Sequence, residues 1–235
     1  MEQGVMQQLG ILGGMSWEST ASYYRLLNQG VRARLGGLHS APLLLHSLDF
    51  AAIADLQRRG DWHAAGQLLA KAAQGLERAG ATALLLATNT MHKVAPAIEA
   101  AVSIPLLHIG DAVGQALHRQ GVRKAALLGT RFTMQEDFYR QRLAERFAIE
   151  VLVPTLAQMT EIDRVIFAEL CQGQLLASSR AYYLDCLTQL HAQGAEMAIL
   201  GCTEIGLLLD GASTTRPLLD STALHVAMGL AWMLD

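Results

Sequence analysis

Short runs of apolar residues alternate with helix-length segments along almost the whole chain. The apolar runs are continuous and bounded by turn residues, which indicates strands that are covered on both faces of a sheet. Alternation of such strands with helices is typical of parallel βαβ units. The fold class is therefore predicted as α/β, with mostly parallel sheets flanked by helices.

The same pattern places each element. The predicted strands are Gln8–Gly13, Pro42–Ser47, Ala83–Thr88, Ile104–Ile109, Lys124–Gly129, Glu150–Val153, Met197–Gly201 and Pro217–Asp220. The predicted helical stretches are Trp17–Arg34, Phe50–Arg59, Trp62–Ala79, Val94–Ala101, Met134–Phe147, Glu161–Cys171, Ser178–Gln193 and Thr222–Leu234.

The two halves of the chain resemble each other. Matching segments occur in the same order with a nearly constant offset, which two unrelated α/β segments rarely show. They are LGILGGMSW (9–17) with ALLGTRFT (126–133), ALLLATNT (83–90) with MAILGCTE (197–204), and IPLLHIGDA (104–112) with RPLLDSTAL (216–224). We predict two pseudo-symmetric lobes, 1–120 and 121–235, with a boundary near Gln120–Lys124 and a C-terminal helix able to cross back to the first lobe. The active site is expected in the cleft between the lobes.

Composition narrows the classes of protein. Of the 235 residues 51% are hydrophobic and 17% charged, which suits a large core and excludes a disordered chain. A net charge of −3 without a basic run makes nucleic acid an unexpected partner. No apolar stretch is long enough for a membrane span, and the N-terminal MEQGVMQQ lacks the features of a signal peptide. Three cysteines are too few for a disulfide framework, so we expect a cytoplasmic protein.

Polar residues cluster where the predicted strands end. In an open parallel sheet, ligands bind beyond the carboxyl ends of the strands. If the two lobes face each other, Thr88 and Cys202 approach one ligand from opposite sides. That arrangement suits removal of a proton from one face of a carbon and its return to the other face. The strand ends are Gly13-Gly14-Met15-Ser16, Thr88-Asn89-Thr90, Gly129-Thr130-Arg131 and Gly201-Cys202-Thr203-Glu204.

These motifs resemble the aspartate/glutamate racemase superfamily, and within it the branch of L-aspartate/glutamate-specific and broad-specificity amino-acid racemases. The resemblance covers essentially the whole chain. It is carried by LGGMSWEST near the N-terminus, TNTMH in the first half and GCTEI in the second, with GGLHS (36–40), LGTRFTM (128–134), DFYR (137–140) and SRAYY (179–183) between them.

The resemblance implies a racemase that needs neither pyridoxal phosphate nor another cofactor, and no metal. Two catalytic residues, commonly both cysteines, face each other across the substrate α-carbon in this family. On this chain the positions are Thr88 and Cys202. Threonine departs from the usual cysteine-Asn-Thr motif, although the branch that this chain resembles has threonine there as well. The expected products are D-amino acids from aspartate, glutamate or a broader range of substrates.

The two catalytic candidates are chemically unequal. Backbone N–H groups of Thr203 and Glu204 could lower the pKa of the Cys202 thiol if a helix begins there. The Thr88 hydroxyl is a weaker acid and needs an adjacent base, for which His92 is a possible relay. We therefore expect unequal rates for L-to-D and D-to-L turnover. Structural roles remain open for all three side chains: a small buried thiol, a strand-end hydroxyl and a capping or core histidine.

Other polar residues at the strand ends suit an amino-acid substrate. Uncharged donors and helix N-termini bind carboxylates, and a glycine pair lets the backbone approach a ligand. Glu204 could bind the substrate ammonium, activate Cys202, or be a helix N-terminal carboxylate that the helix dipole stabilises. Arg58 or Arg59 could pair with a side-chain carboxylate, or could be exposed cations at a helix end. The predicted substrate-binding residues are Met15, Ser16, Gln57, Asn89, Thr90, Thr130, Thr133, Thr203 and Glu204.

Two other functions stay open. Relatives on the same scaffold that use one cysteine decarboxylate or isomerise small diacids, and an amino-acid-binding protein would use the cleft for affinity alone. The Gly10-x-x-Gly13-Gly14 spacing does not match a dinucleotide loop, and the histidines lack metal-ligand spacing. A homodimer is the default oligomeric expectation.

Overall fold

The computed structural model describes residues 6–209 and 214–235. The first five residues of the N-terminal segment considered above lie outside this part. The strands are β1 Leu9–Gly13, β2 Leu43–Ser47, β3 Ala83–Leu86, β4 Leu106–Leu107, β5 Lys124–Gly129, β6 Glu150–Leu152, β7 Met197–Gly201 and β8 Leu218–Asp220. The helices are α1 Trp17–Leu35, α2 Phe50–Arg59, α3 Trp62–Arg78, α4 Ala95–Glu99, α5 Ile109–Arg119, α6 Arg131–Gln135, α7 Asp137–Phe147, α8 Leu156–Ala168, α9 Ala177–Ala192, α10 Ile205–Leu208 and α11 Ser221–Leu234. Two short 3-10 helices cover Thr90–Val94 and Leu170–Gln172.

The strands form two parallel sheets with the same internal order. The first sheet has the order β2-β1-β3-β4 and the second the order β6-β5-β7-β8. Every pair is parallel, so the carboxyl ends of the strands in one sheet meet at one edge. The predicted α/β class, with two parallel sheets flanked by helices, is confirmed. The shared strand order is what an internal duplication would produce.

The structural units differ from the predicted lobes. One unit holds the described residues of Met1–His108 together with His225–Asp235, and the other holds those of Ile109–Leu224. The difference from a boundary near Gln120–Lys124 is α5, which the sequence pattern did not identify. Its apolar residues pack with β5 and α7, and its Asp111 carboxylate accepts two hydrogen bonds from the Arg142 guanidinium.

The first unit has a core on each face of its sheet. Successive residues of β3 alternate between the two cores, since Leu84 and Leu86 pack with α3 whereas Leu85 packs with α1 and α11. Helix α11 is almost entirely apolar, as expected of a buried helix. A Cβ on Gly229 would lie 2.9 Å from the Leu85 side chain, so this glycine allows α11 to approach the sheet closely.

The second unit repeats this layering. On one face Ala126, Leu128 and Leu200 pack with α8 and α9, and on the other Leu127 and Ile199 pack with α5 and α7. Helix α8 begins with a capping box between the Thr155 and Gln158 side chains, which fixes its start.

Some predicted helices are divided or shifted in the structure. The predicted helix Val94–Ala101 corresponds to α4, and a 3-10 helix over Thr90–Val94 precedes it. The predicted helix Met134–Phe147 corresponds to α6 and α7, which are separated by a break at Glu136. None of the helices in the described residues is both long enough and apolar enough to cross a membrane.

Candidate functional site

In the first unit the carboxyl ends of β1 and β3 lie side by side. Leu12 pairs with Leu86, so Met15 and Thr88 follow neighbouring strands. The backbone N–H of Gly14 donates to the Thr20 hydroxyl at 2.8 Å, which holds the β1 end against α1. The predicted motifs of the first half are therefore brought to one edge of the sheet.

The Thr88-Asn89-Thr90 segment forms a tight turn after β3. The Thr88 N–H donates to the Leu86 carbonyl at 2.8 Å, and the His92 N–H donates to the Asn89 carbonyl at 3.1 Å. Asn89 and Thr90 are each only 7% exposed, whereas Thr88 is half-buried. Of the three side chains, Thr88 is the one most open to a ligand.

His92 lies against Thr88, as their four-residue spacing predicted, but its hydrogen bond goes to the backbone. His92 Nδ1 is 2.8 Å from the Thr88 carbonyl oxygen. Because a carbonyl only accepts, Nδ1 carries the hydrogen. In the neutral ring Nε2 is then the basic nitrogen, so a relay from the Thr88 hydroxyl would have to use Nε2.

Three of the predicted binding residues in the first unit already have structural partners. The Met15 side chain is 5% exposed and belongs to the core on the α3 face, which leaves its backbone as the part able to meet a ligand. Ser16 caps α1 by accepting from the Ser19 N–H at 3.2 Å. The Gln57 amide donates to the Met91 sulfur at 2.9 Å, which ties the end of α2 to the turn after β3.

The arginines at the end of α2 pair within their own helix. Arg58 and Arg59 lie 3.3 Å and 3.0 Å from the two carboxylate oxygens of Asp55. Their side chains are 71% and 62% exposed. The structure favours the alternative of exposed helix-end cations over that of ligands for a substrate carboxylate.

In the second unit Cys202 follows β7 and donates a hydrogen bond to Glu204. The distance from Cys202 Sγ to Glu204 Oε2 is 2.9 Å, and the Thr203 hydroxyl donates to the same oxygen at 2.6 Å. Glu204 is 8% exposed and stands at the N-terminus of α10, while Cys202 and Thr203 are half-buried. The carboxylate predicted for substrate ammonium or thiol activation therefore contacts the thiol.

The electrostatic setting of Cys202 is opposite to the expectation from the sequence. Burial raises the pKa of its thiol well above the ordinary value, and the negative charge of Glu204 raises that pKa further. The backbone N–H of Glu204 lowers the thiol pKa by a smaller amount. Helix α10 has only four residues, so it supplies little of the expected dipole. Cys202 is consequently a protonated thiol at neutral pH.

Thr130 and Thr133 form a helix cap at the end of β5. The Thr130 hydroxyl accepts from the Thr133 N–H at 3.4 Å, and the two hydroxyl oxygens are 3.1 Å apart. Thr133 is fully buried against the glycines that end β5 and β7. Thr130 is therefore the N-cap of α6 and is half-buried, while the Thr133 side chain is packed inside the second unit.

Sequence reasoning missed a buried cluster behind the Thr88 turn. The rings of His108 and His225 lie 4.4 Å and 5.6 Å from that of His92, and Tyr23 bonds to His225. All four residues are at most 3% exposed. They are too far apart in sequence to form a recognisable motif; the only signal was a histidine within the apolar C-terminal segment. Among the described residues, no group of three or more His, Cys, Asp or Glu side chains is arranged to hold a metal ion.

Comparisons with known proteins agree with these motifs. A family model described as Asp/Glu/Hydantoin racemase matches residues 12–229. The broad specificity amino-acid racemase RacX of Bacillus subtilis is 25% identical over 218 residues, which cover 92% of this chain and 93% of that protein.

Solved structures give the same result. A Yersinia pestis protein provisionally assigned as an Asp/Glu racemase is 48% identical with a TM-score of 0.93, covering 98% of this chain and 100% of the other. An aspartate racemase homologue from Pyrococcus horikoshii is 33% identical with a TM-score of 0.83, covering 96% and 98%. The chain therefore belongs to the Asp/Glu/hydantoin racemase family, and this membership supports an isomerase activity, that of an amino-acid racemase.

Proposed function

We propose that this chain racemises aspartate, glutamate or a wider range of amino acids without a cofactor, by proton transfer at the α-carbon between Thr88 and Cys202. The observation that carries the proposal is topological. Thr88 follows β3 and Cys202 follows β7, and each strand is third in the order of its sheet. Two duplicated positions that carry different proton donors suit a reaction in which the two faces of the substrate α-carbon are served by different groups. The proposal requires both side chains to reach one α-carbon.

Cys202 acts on one face of that carbon. In the resting enzyme it is a thiol, so it serves as the acid: its Sγ–H proton passes to the α-carbanion and a thiolate is left. In the reverse direction that thiolate takes the α-proton and becomes a thiol again. The thiolate stands next to the Glu204 carboxylate, so its charge is costly and it returns readily to the thiol.

Thr88 acts on the other face, and its chemistry is the harder step. A hydroxyl accepts the α-proton only if its own proton leaves for another base. The neutral His92 ring would supply that base through Nε2, because Nδ1–H is engaged with the Thr88 carbonyl. In the reverse direction Thr88 gives its hydroxyl proton to the α-carbon, and the protonated His92 returns a proton to the Thr88 oxygen. The proton count of the two residues is then balanced.

Stabilising the carbanion is as important as moving the proton. An amino-acid α-proton is very weakly acidic, so donors aimed at the developing enediolate oxygens must lower the barrier. Asn89, Thr90 and Thr203 are the proposed carboxylate ligands, with Ser16 and Thr130 at the neighbouring strand ends. Glu204 is assigned to the thiol and not to the substrate ammonium.

The choice of substrates follows the names of the relatives. The relative from B. subtilis is named a broad specificity racemase, and the P. horikoshii structure an aspartate racemase homologue. We propose acidic amino acids as the first substrates to test, a homodimer as the assembly and the cytoplasm as the location.

A chiral assay with isotope exchange tests the proposal. The protein is incubated with L-aspartate, L-glutamate and a panel of neutral and basic L-amino acids in deuterium oxide. We expect D-enantiomer carrying α-deuterium from wild type, and a loss of at least a hundredfold for Cys202→Ala and for Thr88→Ala. Thr188→Ala on the exposed face of α9 is the matched control and keeps wild-type rates.

The other outcomes identify the rival functions. Loss of carbon dioxide from a malonate, or conversion of a diacid without formation of D-amino acid, would assign a lyase or another isomerase. Binding without exchange that survives Cys202→Ser would assign a binding protein. Full activity in either alanine variant removes that residue from the mechanism.

A further inference from the structure

Tyr23, His92, His108 and His225 meet in the core of the first unit although they come from four different parts of the chain. Tyr23 lies on α1, His92 on the 3-10 helix after β3, His108 directly after β4, and His225 on α11. Their exposed fractions are 1%, 2%, 3% and 0%. Polar side chains are rarely buried this deeply unless their hydrogen bonds are satisfied.

The hydrogen bonds of His225 have a fixed direction. Nε2 lies 2.6 Å from the carbonyl oxygen of Leu107, which only accepts, so Nε2 carries the hydrogen. Nδ1 of the neutral ring then accepts from the Tyr23 hydroxyl, whose oxygen is 2.7 Å away. Burial lowers the pKa of His225 to about 4, so the ring is neutral at pH 7. Tyr23 and Leu107 together hold this ring in one orientation.

His225 and His108 in turn enclose His92. The His92 ring meets both of them edge to face, with centroid distances of 5.6 Å to His225 and 4.4 Å to His108. A ring packed on two sides keeps its orientation. Its Nδ1–H therefore remains directed at the Thr88 carbonyl oxygen, 2.8 Å away.

We propose that Tyr23, His225 and His92 form a chain of positioning residues that fixes the Thr88 turn. The proposal rests on the proposed function, since it gives the Thr88 side of the reaction its rigid support. It makes α11, which contributes no side chain to the strand-end motifs, a determinant of turnover. A catalytic group must be held within about 0.5 Å of its productive place, and residues behind it supply that precision.

The sharpest test is to remove the hydroxyl oxygen of Tyr23, the positioning residue farthest from Thr88. Tyr23→Phe deletes the hydroxyl that bonds to His225 and leaves the ring volume unchanged. The matched control is Tyr139→Phe, because Tyr139 is equally buried in the second unit and its hydroxyl has no hydrogen-bond partner. We expect Tyr23→Phe to lower kcat about five- to tenfold with KM within twofold, and Tyr139→Phe to leave both unchanged.

The pair His92→Asn and His92→Leu separates the hydrogen bond from simple packing. An asparagine places an amide donor where Nδ1 lies, so in His92→Asn the amides of residues 88–92 should exchange within about threefold of the wild-type rate. Leucine fills the space without a donor, and in His92→Leu these amides should exchange at least about tenfold faster. Both variants lower kcat, because neither keeps the ring nitrogen that serves as the base for Thr88. Equal exchange rates in the two variants, or a Tyr23→Phe kcat within twofold of wild type, would overturn the proposal.

Hydrogen exchange decides the point independently of turnover. We expect the amides of residues 88–92 to exchange about tenfold faster in Tyr23→Phe than in wild type, with no change there in Tyr139→Phe. Unchanged exchange in Tyr23→Phe would refute the positioning chain even if the enzyme is a racemase. Absence of amino-acid turnover in wild type would instead refute the proposed function, and faster exchange would still support the contact chain.

Discussion

The Glu204 carboxylate accepts a hydrogen bond from the Cys202 thiol, with 2.9 Å between Oε2 and Sγ. The two residues are separated by one position, and the Thr203 hydroxyl between them bonds to the same oxygen. A negative charge this close stabilises the thiol relative to the thiolate. The arrangement keeps Cys202 protonated and makes it a weaker acid, whereas its thiolate, once formed, is a stronger base.

Glu204→Gln should make Cys202 a stronger acid. The amide keeps an oxygen near the sulfur but removes the charge, so the pKa of the thiol falls toward its ordinary value. Alkylation of Cys202 by iodoacetamide at mildly alkaline pH should become several-fold faster, as followed by mass spectrometry of its peptide. Glu145→Gln, an exposed substitution on α7, should leave the rate unchanged. A slower rate in Glu204→Gln would show that the carboxylate acts as a base for the thiol.

His225 should make the free energy of unfolding depend on pH. Its folded pKa of about 4 lies below the ordinary value of 6.5, so the unfolded chain binds the extra proton between these values. The contribution is complete above pH 6.5 and is lost as the pH falls toward 4. Between pH 7 and pH 5 the wild-type free energy of unfolding should fall about 2 kcal/mol more than that of His225→Gln.

Urea unfolding at the two pH values measures this difference. His118→Gln, at an exposed position on α5, is the control and should retain the wild-type pH dependence. If His225→Gln loses as much stability as wild type on acidification, His225 is not buried as a neutral ring.

Arg58 and Arg59 should be dispensable for acidic substrates. Both guanidinium groups pair with Asp55 at the exposed end of α2. Exposed pairs of this kind contribute little to stability, so the double alanine variant should fold normally. KM for L-aspartate and L-glutamate should stay within about twofold of wild type. A large rise in KM for these two substrates, with a neutral amino acid unaffected, would show that one arginine reaches the substrate carboxylate.

Two helical glycines should respond to alanine with opposite signs. A Cβ on Gly114 in α5 would lie 2.2 Å from the Phe147 ring, so Gly114→Ala should destabilise the protein by about 1–3 kcal/mol. A Cβ on Gly75 in α3 meets nothing within 4 Å. Gly75→Ala should therefore stabilise by about 0.5–1 kcal/mol, because alanine is the better helix former. Urea unfolding of both variants measures the two effects, and the same sign for both would contradict the close packing of α5 on Phe147.

The sequence predicts the strands well, but none of the predicted helices overlaps α5 or the four-residue α10. Strands such as β5 and β7 are continuous apolar runs, and the structure places them at the predicted positions. Helix α5 was missed because Gly110 and Gly114 have low helix propensity and so weaken the helical pattern. At Gly114 the reason for glycine is the neighbouring Phe147 ring, a tertiary contact that no local pattern contains.

The candidate site shows the same division. Cys202 and Glu204 are close in sequence, so their contact could be anticipated, but its effect on the thiol pKa depends on burial. Tyr23 and His225 are 202 positions apart, and their bond follows only from the way α1 and α11 pack in the first unit. Motifs thus identify residues that lie on one turn, whereas the groups behind them come from the tertiary fold.

The discontinuous first unit has a consequence for biosynthesis. Its core on the α1 face includes Val226, Leu230 and Met233 beside Leu9 and Leu85, so that face stays open until the segment after Leu224 has left the ribosome. The second unit is contiguous and has its whole complement of residues earlier. Nascent chains should therefore acquire protease resistance in residues 109–224 first, while the half made earliest waits for α11 and offers chaperones an exposed apolar surface in the meantime.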